Sequence, residues 1–541
     1  MSNTIGFKNF RRFQYFPEID LGDITILVGG NNAGKSTLVK AMLLMRDFLN
    51  SRIEKVDNTN NIFKTFERPN FSFDTEHVNV GDFYRAFCHQ SPAKEDTISF
   101  TMKIDNFRFV VNIRGERKPG IIPQVTMIAV SDEERDVYFT FDFSKNQMTV
   151  RFEYDKAALN NDVHTMREHI SQLGALKEKL SKSKDLNEIS NLKIKIEQLE
   201  KIISHVSNNG VEISEYDEVK IPMSYFIGDN IGKMVIPELI KGFAHYSEIG
   251  TTGDKRTETY RRQEANKNLL RGKSALINNI SEEVERVINS QTIEYIYAHS
   301  VAQTPFYANC ASSSDYTKRT IHEFYNARIS KKDEEFLLIE EWLREFNIGN
   351  SLKVIPFGGD NYRIIIFDDE NPEIKGSLKR GYPGGIDLAD KGMGSIQLVI
   401  LLLRIATLLR RFHGQQLTIL LEEPEQKLHP ALQSKLAEFI YSVNYGYMIN
   451  FIVETHSEYF VRRTQVIVAG ENYNDVDEMN SKNPFVVYFL ERNPEDEPRK
   501  MTYKLSGDFN EKFGEGFFDE ASKWDMVIIR KEFELNKKNR K

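Results

Sequence analysis

Three kinds of hydrophobic pattern run along this chain. Largely apolar runs occur at Ile24-Thr25-Ile26-Leu27-Val28, Leu417-Thr418-Ile419-Leu420-Leu421 and Ile449-Asn450-Phe451-Ile452-Val453. Runs of that length and β-branched content, each ending in polar residues, predict strands of a parallel sheet buried on both faces. Strict alternation, as in Asp96 to Ile104 and Arg108 to Ile113, fills parts of residues 50–155 and predicts half-buried antiparallel strands. Helical spacing follows Ser36 (Thr37 to Leu44), recurs at Glu334 to Leu343, and becomes almost wholly apolar at Ile396 to Leu403. Strand-like segments at 351–356 and 362–367 separate the last two.

Residues 160–208 have a different character. Met166, Ile170, Leu173 and Leu180 share one stripe, and Leu192, Ile196, Leu199, Ile203 and Val206 share another, with Lys and Glu between. The polar break Ser181-Lys182-Ser183-Lys184-Asp185 lies between them. Heptad-like spacing predicts two helices, either a projecting antiparallel hairpin or a pair lying flat on the core. The expected division is 1–155, the first half of a core with a β subdomain; 156–210, the hairpin; 211–330, a helical, basic insertion; 331–470, the second half of the core; and 471–541, a tail subdomain.

The 541 residues include 72 Lys and Arg against 79 Asp and Glu, for a net charge of −7, which excludes a global basic field for nucleic acid. A local cluster remains at Lys255, Arg256, Arg261, Arg262, Lys267, Arg271 and Lys273. It reads equally as a phosphate-backbone contact or as a solvated helix face balanced by Glu258 and Glu264. Two cysteines, Cys88 and Cys310, are too few for a disulfide framework or a Cys-rich metal site, and they suit a reducing cytoplasm. The first residues lead straight into a strand-like stretch without a signal-peptide pattern, and no membrane span is expected.

Chemistry enters where the apolar runs end. Gly29-Gly30-Asn31-Asn32-Ala33-Gly34-Lys35-Ser36 follows the first run and precedes a helical pattern. That is the strand, glycine-rich loop and helix arrangement that cradles phosphates. Glycines let backbone N–H groups face phosphate oxygens, and the helix points its positive end at them. The second run ends in Glu422-Glu423-Pro424-Glu425 and continues Gln426-Lys427-Leu428-His429-Pro430, so carboxylates stand at a strand tip where Mg²⁺ and an attacking water can be handled. The third ends in Glu454-Thr455-His456-Ser457, and a His there can hydrogen-bond a γ-phosphate.

These blocks, with Asp390-Lys391-Gly392-Met393-Gly394-Ser395-Ile396-Gln397, occur in the order of an ABC-type ATPase. The chain resembles the SMC/RecF/OLD branch, and within it the OLD-like AAA family ATPases, such as the PtuA-type subunits of Septu and retron antiphage systems. The resemblance implies an α/β fold: an ABC/RecF-like P-loop ATPase head with an antiparallel β subdomain and a short coiled-coil hairpin insertion. It implies ATP and Mg²⁺ as cofactors. Gly29, Asn31, Asn32, Gly34, Lys35, Ser36 and Thr37 would bind nucleotide, with Arg12 in a position where this branch places a basic residue near it. Arg11 and Arg12 read equally as surface charges. Ser36, Glu422 and a Q-loop residue, Gln90, would support the metal. Glu423 would be the catalytic base and His456 the γ-phosphate sensor. Gly392, Gly394 and Ser395 would reach the nucleotide of a partner subunit in a head-to-tail homodimer, with higher oligomers open.

Two positions depart from the pattern. The signature reads G-M-G-S rather than S-G-G-Q, and Ala298-His299-Ser300 stands where relatives carry an Arg. A Toprim nuclease domain would need a D-x-D pair ending an apolar strand. Asp475-Val476-Asp477 sits instead in a polar stretch read as loop, so no nuclease domain is expected in the chain. The closing block from Gly507 to Glu520 resembles the tail of Toprim-less members. The implied function is a slow cytoplasmic ATPase that controls a partner nuclease of HNH or Toprim type, with retron RNA–DNA or DNA contact through the insertions. The other reading is a RecF/SMC-like ATPase of DNA repair or chromosome maintenance.

Overall fold

The computed structural model describes residues 3–51, 70–92, 94–153, 172–181, 189, 191–198, 216–223, 236–251, 253–297, 307–308, 316–357, 361–368, 385–514, 517–518, 523 and 525–531. Its centre is a six-stranded sheet in the order Thr292–Ile296, Leu417–Glu422, Asn450–Glu454, Ile24–Gly29, Phe485–Leu490, Arg499–Met501. The first five strands are mutually parallel and the last runs antiparallel at the edge. Successive side chains of a strand point to opposite faces, so the apolar runs feed two cores at once. Leu27, Leu420 and Ile452 enter one core with the helix Lys35–Ser51. Ile26, Val28, Ile419, Leu421, Phe451 and Val453 enter the other, with the helices Tyr316–Ala327, Glu334–Glu345, Met393–Arg411 and Pro430–Tyr447. Each such side chain contributes about 2 kcal/mol of burial, which holds the polar strand tips in a common plane.

The alternating segments build an eight-stranded antiparallel sheet over the first core, in the order Tyr216–Pro222, Gln147–Glu153, Val137–Asp142, Gln124–Asp132, Phe107–Arg114, Thr97–Ile104, Asn3–Phe10, Phe13–Leu21. Alternate residues of these strands, such as Ile98, Phe100, Phe109, Val111, Phe139 and Phe141, are buried on one face, as the period of two requires.

Two expected boundaries move. Tyr216–Pro222 pairs along its whole length with Gln147–Glu153, so the first subdomain resumes beyond residue 210 before the helices Ile236–Glu248 and Glu258–Ser290 follow. Residues beyond 470 do not form a separate tail: Phe485–Leu490 pairs in parallel with the phosphate-loop strand Ile24–Gly29. The closing block packs back on it through Phe489, Phe513 and Phe517, with ring centroids 5.6 and 6.2 Å from Phe489. A strand buried on both faces needs partners on both sides, and the tail supplies the second one.

The segment around Asp475 is a short helix rather than a loop. Asp475 is the N-cap of Val476–Lys482 and its carboxylate accepts from the Glu478 N–H at 2.8 Å, a side-chain cap that a polar stretch does not announce. Helix is present at 172–181 and 191–198, where the hairpin was expected; Leu192 and Ile196 are buried and Leu173 and Leu180 half-buried. Met166, Ile170, Leu199, Ile203, Val206, Cys310 and the Ala298-His299-Ser300 segment lie outside the described residues.

The helix Met393–Arg411 is, by length and a mean hydropathy of 1.7, apolar enough to cross a membrane, against the expectation that no segment would qualify. It is mostly buried inside the second core, and its Arg404 is held by Glu294 at 2.8 Å and by Glu323.

Candidate nucleotide site

The phosphate loop joins the central strand to the helix Lys35–Ser51, and two of its glycines are required. Gly29 (φ +152°) and Gly34 (φ +106°) take backbone conformations that L side chains rarely adopt. A Cβ on Gly34 would lie 2.4 Å from the Phe13 ring, and one on Gly29 would lie 2.4 Å from the Leu490 carbonyl oxygen. Gly34→Ala is therefore expected to cost about 2 kcal/mol of stability, read as a lower midpoint in denaturant; an unchanged midpoint would show that Phe13 yields. The Thr37 and Leu38 N–H groups both reach the Gly34 carbonyl, at 2.9 and 3.2 Å, which closes the first turn. Asn31 and Asn32 are exposed at the loop's tip, and Asn32 is left-handed at φ +62°.

Lys35 is 3% exposed. Its Nζ donates to the Gly29 and Gly30 carbonyls at 3.1 and 3.3 Å and stands 3.0 Å from His456 Nε2. Burial lowers its pKa, opposed by Glu454, Glu423 and Glu425. This cation is therefore positioned on the loop's own carbonyls, ready to exchange them for phosphate oxygens.

Three strand tips complete the site. The strand Asn450–Glu454 lies between the phosphate-loop strand and Leu417–Glu422, and its Glu454 pairs in register with Leu27 on one side and Glu422 on the other. Ser36 Oγ donates to Glu454 Oε1 at 2.7 Å. Burial pushes the Glu454 carboxyl up to about 7, with Ser36 and Lys35 opposing and Glu422 and Glu423 reinforcing. Glu422 instead accepts from the Tyr295 hydroxyl.

Glu423 is left-handed at φ +43°, held by its N–H on the Glu454 carbonyl at 2.8 Å. Its carboxylate accepts from the Gln426 side chain and lies 3.4 Å from His456 Nε2. His456 is fixed from behind: its N–H donates to Glu425 Oε1 at 2.7 Å. Burial and the neighbouring Lys35 lower the imidazole's pKa, so it is neutral near pH 7.

The raised carboxyl has a consequence for stability without nucleotide. A carboxyl whose folded pKa lies above its unfolded value stabilises fully below about 4.5 and loses that contribution as pH rises through about 7. The melting temperature of Glu454→Gln, relative to wild type, is expected to rise between pH 5 and 8; a constant difference would show that Glu454 does not titrate there.

The other predicted residues divide. Arg12 lies against the loop: a Cβ on Gly34 would be 3.3 Å from its Cδ, and its guanidinium donates to the Arg492 carbonyl. The Arg11 backbone N–H donates to the Ala86 carbonyl at 2.6 Å, and burial, with Arg85, lowers the pKa of its guanidinium. Gln90 is exposed, and its backbone carbonyl accepts from the Gln14 side chain at 2.6 Å; no recorded contact brings its side chain to Ser36. Gly392 caps the helix Met393–Arg411 with open space where a Cβ would be. A Cβ on Gly394 would meet the Lys427 carbonyl at 3.0 Å, and Gln397 donates to the Pro424 carbonyl at 2.9 Å. The signature is thereby tied to the turn that follows Glu423, with Ser395 half-buried beside it.

Four residues with roles here were not singled out from the sequence: Glu454, Gln426, Tyr295 and Arg492, whose Nε would lie 3.2 Å from a Cβ on Gly30. Glu454 had a signal, since it ends an apolar strand just as Glu422 does. The other three are brought in by folding alone.

ATP and Mg²⁺ fit this donor set. Oxygen ligands from one hydroxyl and one or two carboxylates, completed by phosphate oxygens and water, suit Mg²⁺. Glu454 Oε2 is buried with no hydrogen-bond partner, as a carboxylate awaiting a cation would be.

Residues 1–461 match a family model described as an AAA ATPase domain. No curated protein matches the chain. Among solved structures, the chain is similar to the Smc head domain with an extended coiled coil bound to the C-terminal domain of ScpA, from Pyrococcus furiosus. Identity there is 11%, over 93% of this chain and 96% of that one, with a TM-score of 0.30. The Smc head with a coiled coil and joint from Pyrococcus yayanosii is 12% identical over 94% and 98%, at 0.31. An Smc head bound to the C-winged helix domain of ScpA is 10% identical over 93% and 98%, at 0.35. The family match, in contrast, spans the phosphate loop, both carboxylate-bearing strand tips and His456, and the chain belongs to the AAA ATPase domain family.

Proposed function

We propose that the chain is the cytoplasmic ATPase subunit of a bacterial antiphage defence complex, closing as a head-to-tail dimer on ATP and thereby controlling a partner nuclease of the HNH kind that accompanies PtuA-type ATPases. The observation that supports hydrolysis is the convergence of Lys35, Ser36, Glu423, Glu454 and His456 on one mouth of the central sheet.

Lys35 meets the β- and γ-phosphates in place of the Gly29 and Gly30 carbonyls. Glu423 takes the proton of the attacking water, its carboxylate held by the Gln426 side-chain amide. His456, neutral and 3.0 Å from Lys35 Nζ, is placed to report whether a γ-phosphate is present. Mg²⁺, when bound, offsets the charge that develops between the phosphates. Open space over Gly392 leaves the signature end of its helix free for a partner's nucleotide. Because that contact comes from a second subunit, turnover of the lone chain is slow.

A second reading, a RecF/SMC-like ATPase acting on DNA, draws on the basic segment. Lys255, Arg256, Arg261 and Arg262 are exposed together at the start of the helix Glu258–Ser290. The rest of the expected cluster is used internally: Lys267 Nζ donates to the Ile249 carbonyl at 2.8 Å, Arg271 to the Ser247 carbonyl at 2.9 Å, and Lys273 lies over the Phe152 ring. That leaves a smaller electrostatic footprint than the sequence suggests.

The test is purification of the protein tagged at its own locus, with mass spectrometry and nucleic-acid analysis of what co-elutes. A stoichiometric nuclease supports the defence complex. Repair proteins with bulk DNA, or the ATPase alone, overturn it.

A further inference from the structure

We propose that the cleft between the helices Tyr316–Ala327 and Glu334–Glu345 and the strand Ser351–Pro356 docks an extended, acidic segment of a partner protein, which adds a strand to that edge. Among the described residues, Ser351–Pro356 pairs with Asn361–Phe367 on one side only. The Phe357 N–H donates to the Asn361 carbonyl at 2.8 Å, and bonded positions of an antiparallel pair recur at every second residue. Leu352 and Val354 therefore turn their N–H and C=O groups away from Asn361–Phe367. Nothing among the described residues pairs with that outer side. Such an edge is a template for a further extended chain.

Against that edge lies a cavity of about 560 Å³. Its walls are apolar: Phe324, Phe336 and Phe367 are buried, and Ile329 is half-buried. An added strand would turn alternate side chains into such a pocket. Arg328, Lys331 and Lys353 line the same cavity, all exposed, and no carboxylate among the described residues pairs with them. The carboxylates of the surrounding elements are engaged elsewhere. Asp333 accepts the Ser330 N–H at 2.9 Å and pairs with Arg410, Glu323 pairs with Arg404, and Glu340 accepts from the Ser351 hydroxyl at 2.6 Å. These cations choose the occupant. A second copy pairing edge to edge would bring its own cations against them, and like charges facing each other across strands are destabilising. An acidic segment meets all of them. Any partner protein with such a segment suffices, so this docking stands or falls apart from the nuclease reading.

The experiment uses the full chain and fluorescein-labelled peptides of about eight residues, an ordinary strand length, read by fluorescence anisotropy. The acidic probe alternates Glu with Val, Phe and Leu. One control replaces each Glu by Lys, and a second is the acidic probe N-methylated at every residue, which removes the N–H groups that an added strand needs. The acidic probe is expected to bind at least about tenfold more tightly than either control, and less tightly as salt rises. Arg328→Glu with Lys353→Glu is expected to weaken it by at least about tenfold, while circular dichroism and ATP hydrolysis stay at wild type. Val354→Pro removes one outward N–H without touching a bond to Asn361–Phe367, and is expected to weaken the probe by about three- to tenfold. Should Val354→Pro fail to fold, the charge-reversed double variant carries the test. No binding of the acidic probe, equal binding of either control, or wild-type affinity in the double variant overturns the proposal. So does a doubled mass without nucleotide that the double variant alters, which would give this face to a second copy of the chain.

Discussion

Glu423→Gln is expected to bind ATP with near wild-type affinity and to hydrolyse it roughly 100- to 10,000-fold more slowly, the range a positioned general base supplies. The change keeps the side chain's size and removes only its capacity to take a proton. Its surroundings argue for that role over a structural one. Glu423 sits at a left-handed backbone position, anchored by its own N–H on the Glu454 carbonyl, with the Gln426 amide donating to its carboxylate and His456 Nε2 3.4 Å away. A turn of that kind holds a side chain at the sheet's mouth without depending on the side chain for packing. The variant is also expected to accumulate as a closed dimer with ATP, seen as a doubled mass in light scattering. Single-turnover hydrolysis at the wild-type rate would rule out Glu423 as the base.

Lys35→Ala is expected to weaken ATP binding by roughly 100-fold, about 3 kcal/mol, the worth of charge-assisted hydrogen bonds to two phosphate groups. The Lys35 Nζ is spent on two loop carbonyls and the His456 ring, contacts that a phosphate replaces. The loop's backbone should survive, since Gly29 and Gly34 set it. The measurement is titration with a fluorescent ATP analogue, with circular dichroism to confirm the fold. Unchanged affinity would show that the phosphates lie elsewhere.

Together the two variants separate binding from chemistry. Lys35→Ala removes both, Glu423→Gln only the second. A partner nuclease that responds to ATP binding will distinguish them, and one that responds to hydrolysis will treat them alike.

Much of this site was legible before folding because its parts are local. A phosphate loop is eight consecutive residues between a strand and a helix, and each element is announced by nearby side chains: the Ile24–Val28 run, the glycines, the Thr37–Leu44 pattern. The carboxylates after Leu421 and the His after Thr455 were readable for the same reason, as polar residues ending apolar runs. The antiparallel sheet was readable from its period of two, which burial enforces strand by strand.

What the chain alone could not rank were choices between equivalent strand tips. Glu422 and Glu454 carry the same local signal, and only the order of strands puts Glu454 beside Ser36 and Glu422 beside Tyr295. That order depends on side chains hundreds of residues apart sharing two cores, and no local window contains it. The same cause moved the tail: Phe485–Leu490 is an apolar run like the others, and only its pairing with Ile24–Gly29 joins it to the central sheet. It also divided the basic cluster: Lys267 is buried and Arg271 is tied down because the helix Ile236–Glu248 presents carbonyls at its end. The sequence by itself pointed to a phosphate ligand and to the candidate reacting groups, because phosphate binding and proton transfer need particular residue types at short spacing. The tertiary structure decided which carboxylate lies against Ser36 and which against Tyr295, because proximity across a sheet is set by topology, and topology is a property of the whole core.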